Sequence, residues 1–198
     1  MILVPTTRLE AINELLGAIG ESPVNTESNT GLVEADLAAA RIDSMSRSVQ
    51  KRGWHWNTLV NYELVPDEDG YIQLPTSCLK VDTWGKDAHL DYVQRGSRLY
   101  DRENNTFVIS RSVLVEMVLF LPFHDLPEAA RSYITMSAAR KYQERLFGAQ
   151  ELSAYDKDDE TQAWFDLLDA ESDAADHNVL RDSYSVLQIL NRKHYHKD

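Results

Sequence analysis

At Gly53-Trp54 the spacing of apolar residues changes from every three or four positions to every second one, and around Leu126 it changes back. Helices and strands demand different spacings, so such a chain must place an extended region between two helical ones. The expected fold class is α+β, an antiparallel helical bundle with an inserted antiparallel β domain and a C-terminal arm. Residues 1–53 and 123–176 would form the discontinuous bundle, 54–122 the insertion and 177–198 the arm.

The first helix is expected to start at the capping box Thr7-Arg8-Leu9-Glu10, to carry Leu9, Ile12, Leu15, Leu16 and Ile19 on one face, and to stop at Gly20 and Pro23. A second runs from about Gly31 to Arg52, with Ala35, Ala38, Ala39, Ile42, Met45 and Val49 in one stripe and Gly53 as its cap. From there Trp54, Trp56, Val60, Tyr62 and Leu64 fall on one face of an extended segment. Turn residues then separate short runs at 71–74, 79–84, 90–94, 98–101, 106–110 and 113–120, which predict a meander. Pro127 and the acidic Asp125 and Glu128 suit the first turn of a third helix ending at Gly148, and a fourth spans about 151–176.

Catalytic and cofactor signatures are missing: there is no phosphate-binding glycine loop and no nucleophile elbow, and no cofactor is expected. His177, His194 and His196 read as part of a basic tail in preference to a metal site, and the lone Cys78 as a small apolar residue. With 32 acidic residues, chance alone supplies carboxylate pairs such as Glu63 near Trp56, or Asp82 with Asp91. Two carboxylates are all a glycoside hydrolase needs, so that activity is the enzymatic alternative. A small acidic scaffold or regulator is a third reading. No apolar run is long enough to span a membrane, and the opening Met-Ile-Leu-Val-Pro lacks signal-peptide character, so folding in a cytoplasm without membrane partners is expected.

A net charge of −12 argues against adhesive contact with nucleic acid, yet suits a wall past which DNA slides. The charge is unevenly placed. Arg41, Arg47, Lys51 and Arg52 make the second helix basic toward its end, the fourth helix is acidic, and the arm returns to basic with Arg181, Arg192, Lys193 and Lys197. Leu180, Tyr184, Leu187 and Leu190 recur along the arm at helical spacing.

Three stretches resemble the tail tubular protein A family of short-tailed podoviruses. They are Ala11-Ile12-Asn13 through Gly20-Glu21-Ser22-Pro23-Val24, Arg47 through Gly53-Trp54-His55-Trp56-Asn57, and Leu126-Pro127-Glu128 through Arg131, Tyr133, Arg140 and Gly148. Tyr100-Asp101-Arg102 is a further matching element. The resemblance implies a virion protein of the tail, synthesised in the host bacterial cytoplasm, with twelve copies in an adaptor ring between the portal protein and the tail nozzle (tail tubular protein B). Such a ring would extend the DNA ejection channel. The basic second helix and arm would then meet acidic surfaces of neighbouring copies, and the arm's apolar stripe would meet the portal.

Overall fold

The computed structural model of the chain describes residues 5–28, 31–148 and 153–174. Four helices, α1 (Arg8–Ala18), α2 (Val33–Gln50), α3 (Glu128–Phe147) and α4 (Ser153–Ala174), enclose one apolar core built around Ile12, Leu16, Ile42, Ile134 and Leu167. The capping box opens α1: Thr7 Oγ1 accepts from Glu10 N–H at 3.2 Å while the Glu10 carboxylate accepts from Thr7 N–H at 2.7 Å. At the other end Gly20 sits at φ +81°, and Glu21 N–H reaches back to Leu16 C=O at 3.0 Å, the Schellman closure that needs a residue free to go left-handed. Asn13 holds the exit of the chain from both sides. Its amide donates to Val24 C=O at 3.0 Å and accepts from Val24 N–H at 2.8 Å, which packs Val24 on the core.

Two long-range bonds orient the bundle. Tyr142 Oη donates to Glu34 C=O at 2.9 Å, placing the end of α3 beside the start of α2, and Gln143 donates to Ala18 C=O at 3.0 Å, placing it beside the end of α1. Thus α1 and α3 run away from the sheet, while α2 runs back toward it. α4 also returns, because Glu160 near its start bonds Ser137 and Arg140 whereas Glu171 near its end accepts from His55 N–H. Small residues at Ala35, Ala38, Ala130 and Ala138, all buried, allow the helices to approach closely. Pro127 caps α3 from outside the helix, not from within its first turn, and Glu128 accepts from Thr6 N–H and Oγ1. Arg131 then binds the carbonyls of Leu126, His124 and Thr6.

The extended region contains β1 (Thr58–Leu64), β2 (Cys78–Thr83), β3 (Tyr92–Arg95), β4 (Arg98–Asp101) and β5 (Val113–Leu119). Pairing is antiparallel throughout, but it is not a meander: one sheet has the order β1-β5-β2, and β3-β4 is a separate hairpin. The last strand takes the centre because it is the most apolar. Val113, Val115 and Met117 bury one face of β5, whereas β1 carries Asn61 and Glu63 and remains at an edge. The expected single face from Trp54 to Leu64 also breaks. His55–Asn57 form a 3-10 turn, and the register slips between Leu59 and Tyr62, where Asn61 adopts φ +59°, a conformation asparagine tolerates better than most residues. Residues 71–74 and 106–110 join only through isolated bridges such as Tyr71–Val108, although Ile72, Leu74 and Ile109 still bury into the second core with Leu99 and Met117.

Candidate interaction surfaces

The link between helices and sheet is a sealed polar junction. Gln50, the last residue of α2, is fully buried: its amide donates to Ser46 Oγ and Leu121 C=O, both at 2.9 Å, and accepts from Leu121 N–H at 2.7 Å. Asn57 completes the set by donating to Gln50 C=O at 3.0 Å and Leu119 C=O at 2.8 Å while accepting from Trp54 N–H at 2.8 Å. Trp54 donates through its indole to Val49 C=O at 2.8 Å, stacks on Trp56 and meets Trp164 of α4 edge-on. Every polar group of the Gln50 and Asn57 side chains therefore has a partner, and the bundle cannot tilt on the sheet without breaking several of these bonds together.

Gly53 is where the chain turns from α2 into this junction. It sits at φ +78°, and an added Cβ would lie 3.0 Å from Val118 Cγ2. Gly53→Ala should therefore lower the unfolding free energy by roughly 1–3 kcal/mol, the cost of a left-handed alanine plus an overpacked contact. Urea denaturation monitored by tryptophan fluorescence measures it, and an unchanged midpoint would show that the turn relaxes freely.

The sequence-predicted basic residues do not form one surface. Arg47 and Lys51 are exposed and four residues apart, so they share a face, while Arg41 is half-buried and lies about 120° around the helix. Arg52 is exposed too, but its guanidinium lies 4.5 Å from the Trp164 ring centroid, a cation–π contact to its own α4. Leu180, Tyr184, Leu187, Leu190 and Arg192 of the arm lie outside the described residues.

Most of the exposed apolar side chains, among which periodicity places only Val60 and Tyr62 on a face, collect in three places. Val33 and Leu37 on α2 and Leu146 on α3 occupy the end of the bundle far from the sheet. Leu59, Val60, Tyr62 and Val65 line the unpaired edge and exit of β1, and Phe165 and Leu168 lie on the outer side of α4. About 27 Å of α2 separates the first group from the junction. Acidity concentrates on α4, where Glu160 is tied down internally. Burial opposes its ionisation, but the bonds from Arg140 and Ser137 prevail and hold its carboxyl below the usual range.

The carboxylates considered for catalysis are dispersed. Glu63 and Asp82 sit on opposite sides of the central strand, and Asp91 forms an exposed ion pair with Arg102 at 3.3 Å beyond the sheet. The closest strand pairing is Asp82 with Glu116, directly opposite on β2 and β5, which sequence spacing could not reveal. Glu116 lines a shallow cleft of about 260 Å³ with Arg52, His55, Lys80 and Glu171. Thr58 and Glu171, whose Oγ1 and Oε2 are buried without a hydrogen-bond partner among the described residues, line the same cleft. No group of three or more His, Cys, Asp or Glu suited to a metal occurs among the described residues, and no helix among them is long and apolar enough to cross a membrane. Cys78 is half-buried at the rim of the sheet.

The tail tubular protein family model matches residues 9–177. Tail tubular protein A of Klebsiella phage KP34 is 33% identical over 148 residues, covering 74% of this chain and 77% of that protein. The α1 exit pinned by Asn13, the Gly53–Asn57 junction and Arg131 itself all fall inside residues 9–177, and the chain belongs to the tail tubular protein family, a structural component of the phage tail.

Proposed function

We propose that the chain is the subunit of an adaptor ring, twelve copies joining the portal protein of a short-tailed phage to the tail nozzle and extending the channel through which DNA leaves. The observation that carries this reading is the pairing of a rigid body with exposed apolar groups at both its ends. Val33, Leu37 and Leu146 at the far end of the bundle and Val60, Tyr62 and Val65 on the β module suit partners on opposite sides. The sealed Gln50–Asn57 junction makes bundle and β module one lever, as a joint that transmits force between two rings requires. Opposite charge on Arg47 and Lys51 of one copy and on α4 of the next supplies head-to-tail complementarity for a closed ring. The overall negative charge lets DNA pass without adhering, and binding to duplex DNA should be negligible at physiological salt.

Native mass spectrometry and electron microscopy of the chain mixed with portal assemblies test this. Twelve copies should load per portal, and Arg47→Glu with Lys51→Glu should weaken each intersubunit joint about tenfold, the equivalent of ~1.4 kcal/mol, and lower ring occupancy with it. Monomers that never load on a saturating portal would remove the adaptor reading, and undiminished occupancy in the double variant would remove these two residues from the ring contact.

A further inference from the structure

We propose that the outer face of α4 packs along the outer face of α2 of a neighbouring copy, a joint that rests on the ring reading and supplies the surfaces that close the ring. Successive helical residues turn by about 100°, so Thr161, Phe165, Leu168 and Ser172 form one outward line on α4, with Asp169 and Asp173 along one side of it. Phe165 and Leu168 are 54% and 38% exposed there, while Ala163 and Leu167 fill the opposite, buried side. On α2 the outward line is Ala40, Ser44 and Ser48, all exposed and short, with Arg47 and Lys51 along one side. Two large apolar side chains thus have a low surface to enter, and the two lines are flanked by opposite charge.

Height and handedness agree with this pairing. α3 packs against both helices and runs opposite to both: Tyr133 meets Trp164 and Ser137 meets Glu160, while Tyr142 reaches the Glu34 carbonyl. These contacts set Phe165 level with Ser44 and Leu168 level with Ser48, and they place Asp169 between the heights of Arg47 and Lys51. Rotation about an axis along the helices keeps every residue at its own height, so the same pairs meet across a head-to-tail joint. Two helices that run the same way and face each other bring the clockwise side of one against the anticlockwise side of the other. Viewed from the N-termini, Asp169 and Asp173 lie clockwise of the α4 line, and Arg47 and Lys51 lie anticlockwise of the α2 line, which sets acid against base. On the other side Leu168, anticlockwise on α4, meets Ser48, clockwise on α2.

Cross-linking of full-length chains on portal assemblies, in a Cys78→Ser background, reads the joint. Copies carrying Leu168→Cys mixed with copies carrying Ser48→Cys should be joined in pairs by a short bis-maleimide, and each variant alone should give at least about tenfold less product. Charge exchange gives a second measurement. Arg47→Glu/Lys51→Glu and Asp169→Lys/Asp173→Lys should each weaken the joint about tenfold alone, and an equal mixture should restore it to within about threefold, because alternating copies pair opposite charges at every joint. Should a substitution in α4 unfold that helix, seen as lost circular dichroism, the cross-link at natural charge decides. Loaded copies that give no mixed product overturn the pairing and leave the ring reading standing. Product from one variant alone shows a two-fold contact in place of a head-to-tail one and overturns the pairing equally. A charge-exchanged mixture as weak as its parts overturns the alignment of the two faces, and copies that neither load nor cross-link remove the adaptor reading and the joint with it.

Discussion

Asn57→Ala should lower the unfolding free energy by about 3–5 kcal/mol, because it strands three buried backbone groups at about 1–3 kcal/mol each. These are the carbonyls of Gln50 and Leu119, which lose their donor, and the amide of Trp54, which loses its acceptor. Asn57 is 3% exposed, so water cannot replace the lost bonds without opening the junction. Against a domain stability of roughly 5–15 kcal/mol the change is large. Asn57→Asp sharpens the argument: it keeps an oxygen for Trp54 N–H but sets a second one against two carbonyls, and should cost at least as much as alanine. Chemical denaturation of both variants decides the matter, and a loss under about 1 kcal/mol for alanine would mean that the junction is not sealed. The effect should couple to Gln50→Ala by about 0.5–3 kcal/mol in a double-mutant cycle, since both side chains hold the same crossing of α2 with the segment after β5.

The helical half of this fold was legible because its signals are local. A capping box, a 3.6-residue stripe and a left-handed glycine each need only a few neighbouring residues, and Thr7–Glu10, the α2 stripe and Gly148 at φ +62° all stand where those rules place them. Strand order is not local. That β5 would sit between β1 and β2 depends on pairing Thr58 with Val118 and Lys80 with the same residue, partners separated by tens of positions. The bulge at Asn61 hid the true face of β1, because one inserted residue reverses which side chains point inward.

The interaction surfaces were legible in composition but not in orientation. Charge counting marked the end of α2 as basic, yet the exposed Arg52 lays its guanidinium over Trp164 of the same chain, which leaves Arg47 and Lys51 as the outward pair on one face of α2. The exposed Val33, Leu37, Phe165 and Leu168 were invisible for a related reason: an apolar residue on a helix reads as core until the neighbouring helices show which stripe they cover. The Gly53–Asn57 stretch shows the reverse case. Its residues resembled a family motif before any contact was known, and the contacts explain the pattern: glycine for the left-handed turn, tryptophan for the anchor beneath α4, asparagine for three backbone groups at once.

Asp87→Ala should cost about 2–4 kcal/mol at neutral pH, and the cost should fade in acid. Asp87 closes a 3-10 turn after β2 with its side chain 1% exposed; it accepts from Leu114 N–H at 2.9 Å and from Arg111 at 2.8 Å, pinning the β2–β3 connection to the central strand. Alanine leaves a buried amide without an acceptor and Arg111 without its counter-ion, which sets the magnitude. The bond from Leu114 N–H, helped by Arg111 against the opposing effect of burial, holds the Asp87 carboxyl below the usual carboxylate range. A folded pKa below the unfolded value of about 3.9 means that the charged form's contribution is complete above that pH and is lost as pH falls through the folded value. The stability gap between the natural chain and Asp87→Ala should therefore be flat from about pH 7 to 5 and narrow below about pH 4. Asp87→Asn retains an oxygen for Leu114 N–H while surrendering the charge, so its loss at neutral pH should be smaller; it too should narrow below about pH 4, because the titrating carboxyl belongs to the natural chain, whereas the gap between the two variants should not change with pH. Denaturation midpoints of the three proteins across that range separate the two contributions. A gap that stays constant into acid would show that Asp87 stabilises the turn by shape alone, since only an ionised carboxylate makes the bond to Leu114 stronger than a neutral amide could.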